Sequence, residues 1–202
     1  MIDLLAVFIF FFAVIDPIGT VPVFIAVTSR YDQHTKRRIA LIAALVSSGI
    51  LLFFMVAGEL ILTGMSIPLS AFQISGGIIL FLFALNMIFG ESKPEEELKL
   101  INNHRETAIF PLAVPSIAGP GAMLAAVLLT QKSKFTIWEQ VQTAAVMLSV
   151  LLITYLLMLL AGWINRFLGS SGASVVSRIM GIILASVATT NILSGLKAYF
   201  SI

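Results

Sequence analysis

Six long apolar runs, separated by short polar punctuation, organise this chain: roughly 2–29, 39–64, 67–89, 108–130, 138–165 and 175–199. A run of about 20 such residues crosses a bilayer as a helix. Arg30 to Arg38 follows the first run, Thr63 to Ser66 with Pro68 follows the second, and Glu91 to Thr107 follows the third. Gln131 to Phe135 and Arg166 to Ser174 complete the punctuation. The pattern predicts an all-α integral membrane protein with six transmembrane helices and no separate soluble domain. The charged stretch 91–107, with Glu95, Glu96 and Glu97, reads as a solvated linker on the cytoplasmic side. It divides a first three-helix repeat, 1–90, from a second, 108–202.

Two of the runs are interrupted. Halfway along the first, the segment from Asp16 to Pro22 holds a carboxylate, two prolines and a glycine. Proline lacks an N–H and fixes φ, and a charge at mid-membrane costs at least ~2.5 kcal/mol unless solvated or paired. A broken helix is expected. Asp16 caps its second half, Pro17 takes the first helical position, and Ile18, Gly19 and Thr20 form the opening turn. Pro22 cannot donate to the Ile18 carbonyl, and a released carbonyl beside a carboxylate offers a seat for an ammonium group or Na⁺. Such backbone is tolerated at membrane depth only where it is buried in protein or lines a cavity.

The fourth run is interrupted at Ala118, Gly119, Pro120 and Gly121. Gly119 caps without a side chain and Pro120 suits the first helical position. With no acidic cap, the positive end of that half-helix and its N–H groups stay available to an anion. One break thus offers a negative group and the other a positive pole, a pair that suits a zwitterion. The plainer alternative makes Asp16 a helix cap only, and Gly119 and Gly121 an allowance for close helix crossing. A shift of 102 positions lays Phe8, Ile15, Gly19 and Thr28 on Phe110, Ile117, Gly121 and Thr130, and Gly77 to Leu80 recurs as Gly181 to Leu184. A duplication with three spans per half inverts the second half, so a 3+3 inverted repeat with two broken helices is expected. Paired interrupted segments point to a transporter site.

Composition narrows the class further. At 59% hydrophobic and 11% charged, the chain departs from soluble domains, where charge runs near ~25%. The opening Met-Ile-Asp has no basic region and the first run has no small-residue cleavage pattern, so that span is expected to be kept. Nine of the twelve lysines and arginines fall in the first, third and fifth loops, which places both termini outside the cytoplasm. Cysteine is absent, excluding disulfides and thiol catalysis. No phosphate-binding Gly-x-x-x-x-Gly-Lys-Ser/Thr, zinc-protease His-Glu-x-x-His or serine-hydrolase Gly-x-Ser-x-Gly occurs. The expectation is no enzyme and no cofactor, with H⁺ or Na⁺ as the candidate coupling ion. Expected partners are the bilayer and a small zwitterionic metabolite, without nucleic acid, and a homo-oligomer is compatible. Glu59, near the outer end of the second span, either serves a proton-coupled path or reaches the interface. Asn86 and Asn191 are expected to bond across helices, Ser75, Gly76 and Gly77 to form a packing notch, and Trp138 and Trp163 to anchor the fifth span at the interfaces. His34 and His104 read as solvated.

Several short patterns, in order, resemble the MarC family of prokaryotic multi-spanning membrane proteins. They are Asp16 to Phe24, Ala57-Gly58-Glu59, Ser75 to Ile78, Pro111 to Pro115, Ala118 to Gly121 and Arg178 to Gly181, and the resemblance covers essentially the whole chain. Thr20 stands where relatives often have asparagine. The resemblance implies the inner (cytoplasmic) membrane and kinship with LysE-type exporters. Some family members are assigned to transport of small neutral amino acids such as glycine and alanine. The expected function is a secondary transporter with alternating access around a midplane site. Its substrate-binding candidates are Asp16, Pro17, Ile18, Gly19, Thr20, Pro22, Ala118, Gly119, Pro120 and Gly121, with Asp16 and Glu59 as coupling candidates. The alternatives are a membrane structural or assembly protein without transport, and a channel. The channel is disfavoured by the lack of repeated charge or carbonyl rings.

Overall fold

The computed structural model describes residues 2–89, 107–132 and 134–200, and every regular element among them is helical. The first half contains α1 (Leu4–Ile15), α2 (Pro17–Thr28), α3 (Gln33–Gly64) and α4 (Leu69–Phe89). The second contains α5 (Ala108–Ile117), α6 (Pro120–Leu128), α7 (Ile137–Leu159) and α8 (Ala161–Phe200). Five segments are long and apolar enough to cross a membrane, or six if α5 and α6, bent by 56° at their break, count as one span. The linker expected at 91–107, His104 included, lies outside the described residues except for Thr107.

Local chemistry sets the helix starts. Asp3 Oδ1 accepts the Leu5 and Ala6 amides at 3.0 and 3.2 Å, satisfying donors that the first turn leaves open. Asp32 accepts the His34 amide at 3.1 Å, and a hydrogen bond from the Thr35 side chain holds its carboxyl below the usual range. Thr136 and Glu139 close a reciprocal capping box at the head of α7. The segment α5 is wide-turned rather than α-helical. Pro111 and Pro115 follow residues in extended conformation, Phe110 at φ −128° and Val114 at φ −132°, as the residue before proline prefers.

Two loops expected from polarity are helical. Most of Arg30 to Arg38 belongs to α3, which begins at Gln33, and Arg166 to Ser174 lies inside the 40-residue α8. The fifth span accordingly ends at Leu159, not near 165. No proline occurs between 161 and 200, so no proline ring interrupts the backbone ladder there. Forty residues rise about 60 Å, twice the hydrocarbon thickness of about 30 Å. The membrane-crossing part is Arg178–Phe200.

The halves pack mainly on each other. The first-span helices α1 and α2 lie against α7, while α5 and α6 lie against α3. The most extensive pairing joins α4 to α8, whereas α3 barely touches α4. Gly77 faces the Ala188 carbonyl and Ile192, Gly181 faces the Ala84 carbonyl and Ile88, and Gly195 faces the Ser70 carbonyl and Ile74. Numbers rise along one helix as they fall along the other, so α4 and α8 run antiparallel. The first two contacts exchange when the halves are exchanged. The notch expected at Gly76 and Gly77 is a packing feature, with Gly76 abutting Leu124. Large apolar side chains cover the outer surface, with Val56 73% and Phe89 76% exposed, as lipid contact requires.

A Cβ at Gly77 would sit 2.7 Å from Ile192 Cγ1 and 3.1 Å from the Ala188 carbonyl. Gly77→Val is therefore expected to destabilise the fold by ~1–3 kcal/mol. Gly49→Ala, which meets nothing within 4 Å, should hold or raise stability by up to ~1 kcal/mol. Thermal unfolding in detergent, followed by circular dichroism, checks both.

Candidate functional site

Asp16 is the joint between α1 and α2, and its backbone is left-handed at φ 46° and ψ 68°. Aspartate visits this region more readily than most residues because its short polar side chain bonds locally. Its amide donates to the Phe12 carbonyl at 3.0 Å, closing α1. Its Oδ1 accepts the Gly19 amide at 3.0 Å, opening α2. Its own carbonyl accepts from the Thr20 amide and the Thr20 hydroxyl, each at 3.0 Å. One residue thus satisfies backbone groups on both sides of the break while remaining only 9% exposed. Pro17 takes the first helical position and is buried, as is Thr20. Ile18, Gly19 and Pro22 are half-buried, and Pro22 supplies no N–H to the Ile18 carbonyl.

The second break has the same backbone logic without the carboxylate. Gly119 is extended, at φ −76° and ψ 170°, and caps α6 with no side-chain hydrogen bond, while Pro120 follows at the first position. Ala118, Gly119 and Gly121 are buried and Pro120 is exposed. A Cβ on Gly119 would lie 2.7 Å from the Pro115 carbonyl oxygen, so alanine or aspartate there displaces backbone. Substitutions at 119 therefore report on packing before they report on any ligand.

The first span, Leu4–Thr28, which continues through Asp16 without a bend above 40°, touches the bent α5–α6 pair. α1 contacts α6 and α2 contacts α5. A Cβ on Gly121 would lie 3.8 Å from Val14 Cβ and would press on Leu80. Two residues before Asp16 therefore meet two residues after Gly119. Past the breaks, Thr28 donates to the Phe24 carbonyl at 2.6 Å, and Thr130 makes the corresponding bond to Ala126. These pairs are 102 positions apart.

Glu59 stands elsewhere. Its Oε2 accepts the Lys132 amide at 2.8 Å, and the neighbouring Gly58 abuts Val127, eight residues beyond Gly119 or about 12 Å of helix. It ties the segment after α6 to the outer part of α3, as does Thr130 through the Met55 carbonyl at 3.3 Å. Asn191 accepts from Gln73 Nε2 at 3.5 Å across α4 and α8, while Asn86 is exposed. Trp138 and Trp163 are both exposed. Among the described residues no group of three or more His, Cys, Asp or Glu is placed to hold a metal.

Ser47, Thr143 and Gln131 are buried polar residues that the sequence reading did not mark as buried. Ser47 donates to the Ala113 carbonyl at 3.4 Å, supporting the irregular backbone of α5. Among the described residues, Thr143 Oγ1 and Gln131 Oε1 are buried without a hydrogen-bond partner. Thr143 falls in the helically spaced stripe Thr143, Met147, Val150, Leu151, Thr154 and Met158, which a periodicity count finds. Two clefts open on the described surface away from both breaks. A shallow one lies on α4 and α8 beside Ser75 and Tyr199, and another of about 320 Å³ lies where α2, α3, α7 and α8 end or begin.

The family model described as MarC family integral membrane protein matches residues 1–200. The chain belongs to the MarC family. A "UPF0056 membrane protein YvbG" of Bacillus subtilis is 34% identical over 201 residues, covering 97% of this chain and 95% of that one. A "UPF0056 membrane protein" of Buchnera aphidicola is 30% identical over 202 residues, covering all of both chains. A relative in Methanocaldococcus jannaschii is 34% identical over 189 residues, covering 92% of each. These names describe membrane proteins in bacteria and archaea, and carry no substrate. No solved structure matches the chain. This MarC protein is thus a multi-pass integral membrane protein in which α1 packs against α6.

Proposed function

We propose that this MarC protein is a secondary transporter of small neutral amino acids or similar zwitterions, with its site between the Asp16 and Gly119 breaks. One observation carries the proposal: Val14, two residues before the buried Asp16 carboxylate that caps α2, packs against Gly121 at the start of α6, a half-helix with no side-chain acceptor. The substrate ammonium is assigned to Asp16 and the Ile18 carbonyl, and its carboxylate to the positive pole of α6, which has no side-chain cap. The halves are read as a 3+3 inverted repeat, supported by the antiparallel α4–α8 pair and the reciprocal glycine contacts. Rocking of one bundle against the other is assigned to open the packed breaks to either side. No cofactor or enzymatic step is invoked, and H⁺ or Na⁺ drives the cycle.

The discriminating experiment is uptake into proteoliposomes across a panel of amino acids, with and without Na⁺ and proton gradients. Gradient-dependent accumulation of glycine or alanine is expected; no uptake of any zwitterion overturns the proposal. The lysine and arginine bias places both termini outside. A single cysteine in the 91–107 linker should accordingly resist impermeant maleimide applied outside intact cells. Labelling from outside reverses the orientation.

A second reading has its own observation. The Asp16 cap is satisfied and Leu80 crowds Gly121, which also describes a membrane assembly protein built for packing. Such a protein shows no uptake and binds no amino acid.

A further inference from the structure

The ends of α2 and α7 and the starts of α3 and α8 enclose the cleft of about 320 Å³. Residues from all four helix ends line it, so these ends lie together at one end of the bundle. Two kinds of wall meet there. Lys36 and Arg37 lie on one side with Gln33, while Phe24 and Leu159 supply apolar wall and Trp163 stands at the rim, 62% exposed. No carboxylate among the described residues lines the cleft. Among the described residues neither cation has an ion-pair partner, and the adjoining Asp32 is directed to the His34 amide and Thr35. Two cations with no ion-pair partner among the described residues, beside an apolar wall, fit a molecule with an anionic head and a hydrocarbon tail.

We propose that this cleft binds an anionic phospholipid, its phosphate held by Lys36 and Arg37 and an acyl chain lying along Phe24 and Leu159. Basic pockets between membrane helices recognise acidic headgroups in this way, and an interfacial tryptophan fixes the depth. Inorganic phosphate satisfies the cations but leaves the apolar wall bare, so lipid is the occupant to which the cleft commits. On the orientation proposed above, the lipid belongs to the cytoplasmic leaflet. The headgroup chemistry holds on either side, and it is independent of transport at the breaks.

The test uses the full chain purified in detergent. Retained lipid is measured by native mass spectrometry after addition of phosphatidylglycerol, phosphatidylcholine or inorganic phosphate. Wild type is expected to retain phosphatidylglycerol in preference to phosphatidylcholine, with millimolar phosphate failing to displace it. The double variant Lys36→Gln, Arg37→Gln should lose that preference on the order of 30-fold, each basic residue near the surface contributing about five-fold. The charge-preserving pair Lys36→Arg, Arg37→Lys should keep it, as should Lys132→Gln on a cation away from the cleft. Circular dichroism verifies that each variant is folded. Equal retention of both lipids by wild type overturns the proposal, as does an undiminished preference in the double glutamine variant. Displacement by phosphate alone reduces the cleft to a small-anion site and likewise overturns it.

Discussion

Asp16→Asn is expected to leave the protein folded while lowering amino-acid uptake about 100-fold, in the range for removing one partner of a buried, hydrogen-bonded charge pair. The asparagine carbonyl oxygen can still accept the Gly19 amide, and asparagine tolerates the left-handed backbone found at this position. Only the charge is withdrawn. Asp16→Ala behaves differently, because it removes the cap, at about 1 kcal/mol, and forces an alanine into the left-handed region, at about 1–2 kcal/mol. The pair separates two roles that one side chain combines. Melting temperature should fall for alanine and hold for asparagine, while uptake should fall for both. Full uptake by a folded Asp16→Asn protein reduces the residue to a helix cap.

The second large effect is a reversible block. Val14→Cys with Gly121→Cys should form a disulfide on oxidation, since the Cβ separation of 3.8 Å lies in the ~3.5–4.5 Å range of such bonds. The chain has no cysteine of its own, so the bond has no competitor. A protease site placed in the 91–107 linker lets the cross-link be read as two fragments held together on a non-reducing gel. Uptake should drop to background with oxidant and return with dithiothreitol. Gly121→Cys alone is the control, because its side chain already presses on Leu80. Undiminished transport by the fully cross-linked protein places the moving elements elsewhere.

What the sequence disclosed follows from how local each feature is. Asp16, Pro17 and Gly119 with Pro120 announced their backbone roles because capping and the proline ring act within one turn. The segment Arg166 to Ser174 misled because polarity reports exposure to water, not backbone conformation, and a helix leaving the bilayer is polar without ending. Glu59 was ambiguous since its partner, the Lys132 amide, is 73 positions away. Ser47 escaped because its acceptor, the Ala113 carbonyl, is 66 positions away on the irregular segment. The recurrence of Gly77 to Leu80 as Gly181 to Leu184 was visible, but only the packing shows that Gly77 and Gly181 each face the other's helix at an exchanged position.

The most direct test of a zwitterion site between the breaks is binding rather than flux. Alanine and alaninamide differ at the group assigned to the start of α6, and purified wild-type protein can be titrated with each by calorimetry. Alanine should bind wild type, alaninamide should bind at least ten-fold more weakly, and Asp16→Asn should bind neither. Equal affinity of wild type for the acid and the amide contradicts the carboxylate seat at Gly119, even if Asp16 proves essential.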